Sequence, residues 1–178
     1  MSIRTVKCKL IVHCPDKVDA TLTAFAAACN YVADYGRKNK VWRQFELHRL
    51  CYKDIRARFG LSANLAVRAI ARVSPRLMKE KTRNSIFRPT SVDYDLRIFS
   101  FKEKDWIVSL TLTSGRYRFP LSIGTYQREA LTGKNPTCAT LCKQGKNYFI
   151  NIVVEDPDPV NLTPETVIGA DNWGDYDF

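Results

Sequence analysis

Acidic side chains are scarce between Gly36 and Arg88, where only Glu46, Asp54 and Glu80 occur among fifteen lysines and arginines. That local surplus of twelve positive charges exceeds the +10 of the whole 178-residue chain, so the remainder is slightly acidic. The usual i,i+4 acidic partners of helical arginines are therefore missing, and a merely solvated face does not account for the set. Apolar runs are short as well. None approaches the roughly 20 residues of a membrane span, and no membrane partner is expected. The apolar stretch of MSIRTVKCKLIVHC stops at Pro15 and Asp16, which argues against a signal peptide. Histidine occurs only at His13 and His48, isolated from each other, as structural residues rather than a ligand pair. No Gly-rich phosphate loop, nucleophile elbow or Cys/His constellation is present, which removes the motif-bearing enzyme classes and a small-molecule substrate from consideration.

What is there can build a core. Hydrophobic residues make up 45% of the chain, enough for one medium domain or two small ones. A surplus of positive charge gathered in one region points to an anionic partner, nucleic acid first. The six cysteines (8, 14, 29, 51, 138 and 142) mostly sit among apolar neighbours. Without a secretory signal they are expected to be reduced thiols in a cytoplasmic protein. Cys138 and Cys142 have no second ligand pair nearby, and strand alternation puts both on one face, as a core would; no metal site is expected.

Periodicity divides the chain. Val6, Cys8 and Leu10 alternate with Lys7 and Lys9 as in a strand over 3–12. Leu22, Phe25, Cys29 and Val32 recur at helical steps in a helix capped by Asp16 and stopped at Gly36. Two basic amphipathic helices follow, joined at Phe59-Gly60-Leu61. The first carries Leu47, Cys51 and Ile55 on its apolar face; Ala66, Ala69, Ile70 and Val73 mark the second. Ser62 is the expected N-cap of the second, and Ser74-Pro75 should end or kink it. Beyond Pro89 the period changes to two. Strands are expected through Tyr94-Leu96-Ile98, Trp106–Leu112, Tyr117–Leu121, 137–142 and Tyr148–Val154, with a short helix over 123–132. The predicted fold class is α+β: a small antiparallel β-barrel with a three-helix insertion after its first strand. EDPDPVNLTPE reads as a linker, and no internal repeat is present.

The candidate nucleic-acid contacts are Arg49, Lys53 and Arg56 on the first basic helix, with Arg68, Arg72, Arg76, Lys79, Lys81 and Arg83 on and beyond the second. Side chains at this spacing can follow a phosphate backbone. Tyr31, Tyr35, Trp42, Phe45, Tyr52 and Phe59 stand among them, and one or two could stack on unpaired bases. At the far end, VIGAD is an apolar strand ending in Asp171. A strand-end carboxylate can hold Mg²⁺ in two-metal nucleases, but one alone makes no catalytic site.

The stretches ACNYVADYG at 28–36, FELHRLCYKDIRARFGLSANLAVRAIARV at 45–73 and FRPTSVDYDLRIFSF at 87–101, with DPDPV before VIGAD, resemble in the same order the N-terminal region of TnpB (OrfB-type) transposon proteins. That family comprises RNA-guided DNA endonucleases related to type V CRISPR effectors. The resemblance implies a wedge-type barrel of residues 1–14 and 89–156, a helical recognition insertion at 15–88, a linker at 157–165, and the start of a truncated RuvC-like nuclease domain at 166–178. It implies guide RNA and an RNA–DNA heteroduplex or DNA as partners, with the heteroduplex held through its backbone. Asp171 would match the first nuclease carboxylate, although Gly169-Ala170-Asp171-Asn172-Trp173-Gly174 has one residue too many before the glycine. The expectation is therefore an N-terminal, transposase-family portion that binds nucleic acid and lacks a complete nuclease site. A Mg²⁺ cofactor would be needed only with a whole nuclease domain. A non-catalytic regulator and an inactive structural remnant are the alternatives.

Overall fold

Every second residue of β1 (Ser2–Leu10) turns inward, and Val6, Cys8 and Leu10 are buried. This strand lies in the middle of the sheet. It pairs along nine positions with β7 (Asn147–Asp156), from Ser2 opposite Asp156 to Leu10 opposite Tyr148, and its end meets β5 (Gly115–Ser122). The computed structural model describes residues 2–81 and 86–156; Arg83, the proposed linker and Asp171 lie outside them.

The remaining strands are β2 (Ser91–Asp95), β3 (Phe99–Lys102), β4 (Ile107–Leu112) and β6 (Cys138–Gln144). The seven strands form one antiparallel sheet in the order β2-β6-β7-β1-β5-β4-β3. Its two end strands are consecutive in sequence and separated by three residues, so the sheet curls into a nearly closed barrel. The expected α+β architecture is present. Between β1 and β2 the chain runs through α1 (Pro15–Asn39), α2 (Gln44–Phe59) and α3 (Ala63–Lys79), while α4 (Thr125–Leu131) follows β5. Helices and barrel share one continuous core that includes Phe25, Leu47, Ile70, Tyr94 and Phe119.

Polar contacts fix α1 on the barrel. Asp19 accepts from Lys143 Nζ and from the Tyr148 hydroxyl, each at 2.7 Å. Thr21 Oγ1 accepts from the Thr113 amide at 3.1 Å. Further along, the Asn30 side chain accepts from Phe87 N and donates to Phe87 O at 2.8 and 2.9 Å. No helix among the described residues is long and apolar enough to cross a membrane.

Several expectations need correction. Asp16 is not the cap of α1: the helix starts at Pro15 after Cys14, with proline at a first-turn position that needs no amide hydrogen and Asp16 near the positive end of the dipole. Nor does α1 stop at Gly36. It continues to Asn39, and Lys40 takes the left-handed position at φ 57°. Gly36 is there for want of a side chain: a Cβ would lie 2.6 Å from Leu77 Cδ1 and 2.7 Å from the Val41 carbonyl oxygen. Gly36→Ala is thus expected to destabilise the fold by about 1–3 kcal/mol through overpacking. Helix propensity alone would favour alanine by about 1 kcal/mol. Denaturant unfolding decides the sign, and a stabilised variant would refute the steric account.

Helix α3 passes through Pro75 instead of ending there, with Ser62 capping it as expected by accepting from Leu65 N at 3.4 Å. The Ser74 hydroxyl donates to the Trp42 carbonyl at 2.8 Å, holding the proline turn against the chain ahead of α2. The expected strand through Tyr94, Leu96 and Ile98 is broken. Asp95 accepts from Arg97 N with its side chain and from Ile98 N with its carbonyl, both at 3.0 Å. This is an Asx turn that leaves Leu96 exposed. All six cysteines are free. Cys138 and Cys142 do share a strand face, but it is the outer one: Ala139 and Leu141 fill the core, and Cys138 is exposed. Burial raises the thiols of Cys8 and Cys51 to about 11 and that of Cys29 to about 12, so these three are inert core residues.

Candidate nucleic-acid interface

Helix α2 divides its residues by face. Leu47, Cys51 and Ile55 are fully buried, facing the core shared with α1 and α3. Gly60, at φ 64°, ends the helix with a left-handed cap whose amide returns to the Arg56 carbonyl. Away from the core, Arg49, Lys53 and Arg56 are exposed. Arg49 and Lys53 make no hydrogen bond or ion pair among the described residues. Asp54, next to Lys53 in sequence, accepts from the Tyr31 hydroxyl at 2.9 Å, and Glu46 lies one turn before Arg49 without pairing to it.

Beside this stripe runs a ladder at i, i+4 and i+8. The His48 ring stacks on Tyr52 with centroids 4.6 Å apart and planes 24° apart, and the Arg56 guanidinium lies 5.6 Å from the Tyr52 ring centre. Arg58 sits 4.9 Å over Tyr31. Phe45, at the start of the same helix, is 78% exposed. Tyr31, Tyr35, Trp42, Tyr52 and Phe59 are partly buried against the core. The His48–Tyr52–Arg56 ladder thus sets two rings and a cation beside the basic stripe, a combination that can hold bases by stacking and phosphates by charge. His48, expected to be a structural residue, is part-buried and stacks on Tyr52 as the first rung, four residues before it.

The stripe on α3 is used differently. Arg72 is half-buried, and its fork holds Asp93 of β2 with Nε and Nη2 each 2.6 Å from a carboxylate oxygen. Nη1 donates to the Ser91 carbonyl at 2.9 Å and to its hydroxyl at 3.1 Å, and the guanidinium lies 4.8 Å over Phe25. Arg72 therefore fastens the helices to the barrel, with four of its five N–H donors engaged. Arg68 is half-buried with its Nε enclosed and without an acceptor. Such a donor needs a partner. Arg76 approaches Glu80 at 3.7 Å and covers Phe87 at 4.9 Å. It lines an open recess of about 450 Å³ together with Arg88, Thr90 and Ser91. Lys79 and Lys81 are exposed. The α2 stripe and the α3 stripe are accordingly two features with different roles.

Among the described residues no group of three or more His, Cys, Asp or Glu side chains could hold a metal ion. These residues supply no ligand set for the Mg²⁺ that the resemblance associates with a full nuclease, and no chemical step is derived through it. No protein-family model matches the sequence, and no curated protein matches it.

Proposed function

We propose that this chain is a nucleic-acid-binding protein of the TnpB (OrfB) kind, with the barrel as its wedge domain and α1–α3 as a recognition insertion for guide RNA and its duplex with DNA. One observation carries the proposal: Arg49, Lys53 and Arg56 stand exposed, two of them without a hydrogen-bond or ion-pair partner among the described residues, beside the His48–Tyr52–Arg56 ladder. Exposed cations held apart from carboxylates repel one another and are stabilised by a polyanion. The resemblance of the 45–73 block supplies the identity of that polyanion, and the place of the helices between β1 and β2 agrees with it. The activity proposed for the described residues is nucleic-acid binding.

The test is a titration of the purified chain with structured RNA, an RNA–DNA hybrid and duplex DNA at several salt concentrations. Binding should weaken linearly in log–log form as salt rises, at about 0.7–0.9 per phosphate engaged, and structured RNA or the hybrid should bind more tightly than duplex DNA. Affinity independent of salt, or no binding to any of the three, would remove the proposal. Guide-dependent, Mg²⁺-dependent cutting by the same preparation would show that binding is not the whole activity.

A further inference from the structure

We infer that the outer face of β3, β4 and β5 carries a separate site for a phosphate ester, built from Arg116, Arg118, Ser100 and Ser109. Strand register creates it. Ser100 lies opposite Ser109, and Ser109 opposite Arg118, so three strands place one transverse row on the side away from the barrel core. Arg116, two residues before Arg118 on β5, lies diagonally across that row. Its Nε donates to Ser109 Oγ at 2.8 Å, Nη2 to Ser100 Oγ at 3.2 Å and Nη1 to the Arg97 carbonyl at 3.2 Å.

None of these acceptors is a carboxylate. The guanidinium is therefore fixed in position while its charge stays uncompensated. Each serine hydroxyl accepts from Arg116 and keeps its own proton to donate. Arg118 is exposed and makes no hydrogen bond or ion pair among the described residues. Asp105, the one carboxylate lining the groove, is held by Lys102 at 2.9 Å. Ile107 adds apolar surface, and the groove of about 440 Å³ has room for one nucleotide. Two cations and two hydroxyl donors suit the several oxygens of a phosphate better than a carboxylate, which a single arginine fork satisfies.

A free nucleotide and the backbone of a nucleic-acid strand offer the same ester. The site does not depend on the role proposed for α2; only the choice of a strand as its source rests on that role. The test follows backbone amide signals of the full chain during titration with adenosine monophosphate, with inorganic phosphate and with a single-stranded RNA of about ten nucleotides. Shifts at Ser100, Ser109 and Arg118 are expected with an ester. Arg118→Gln should lower the affinity at this face about tenfold, and it breaks no contact that the fold needs. A response to the mononucleotide identifies a nucleotide pocket, and a response to RNA alone identifies a strand contact. Charge reversal at Arg49 and Lys53 should leave the mononucleotide response intact, so failure of the helical interface and failure of this site separate cleanly. Shifts with inorganic phosphate but neither ester, absence of shifts, or unchanged affinity in Arg118→Gln would overturn the inference.

Discussion

Reversing the charge of Arg49 and Lys53 together should weaken RNA binding by about tenfold or more near 0.15 M salt, with the melting temperature unchanged. Both parts of that result follow from the surroundings of the two side chains. Neither has a hydrogen bond or ion pair to lose among the described residues, so folding free energy is expected to stay the same. Each is free to meet a phosphate, and each contact removed should flatten the log–log salt dependence by about 0.7 for single strands or about 0.9 for duplex. The double variant should therefore lose about 1.4–1.8 of slope. An unchanged slope would mean that these side chains are only a solvated face.

Arg72→Ala should do the opposite, lowering stability with little direct effect on the α2 surface. The side chains of Arg72 and Asp93 are 19% and 26% exposed, and their contact is bidentate. Removing the arginine leaves a largely enclosed carboxylate without its counter-charge, a loss of about 2–4 kcal/mol. For a chain of this size each kcal/mol moves the melting temperature by about 2–4 °C, so a fall of about 4–16 °C is expected. The Ser91 hydrogen bonds and the packing over Phe25 disappear at the same time. Removing Asp93 as well should recover part of the loss, because the orphaned charge goes with it. Melting curves of the two single variants and the double decide the matter. Strict additivity, or a single-variant loss below about 0.5 kcal/mol, would show that the clamp is incidental.

Arg72 also marks where sequence pattern stops being informative. Arg68, Arg72 and Arg76 recur at one spacing and look alike, yet Arg72 is captured by Asp93, 21 residues away, through a helix-to-strand packing that no local periodicity contains. The faces were legible: Leu47, Cys51 and Ile55, or Val108, Leu110 and Leu112, turn inward as their period demands. The barrel with an insertion after β1 was legible too, because periods of two bracket a run of helical periods. Breaks were harder. Asp95 folds an apparently continuous alternation into a turn through two short-range hydrogen bonds, and Gly36 has the composition of a helix stop but the function of a contact point. The row of Ser100, Ser109 and Arg118 was invisible for the same reason as the Asp93 clamp, since each residue comes from a different strand and only register brings them together.

The position of β1 has a kinetic meaning. Its nine-residue ladder with β7 joins segments roughly 145 positions apart in sequence, whereas α1, α2 and α3 pack on one another through much shorter separations. Pairings of such long range close late and slow folding. On a ribosome, the helices can assemble while the first strand still waits for its neighbours, with both edges open to the wrong partner. Lys7 and Lys9 on its outer face, placed among alternating inward apolar residues, are charges that discourage that mispairing until β5 and β7 arrive.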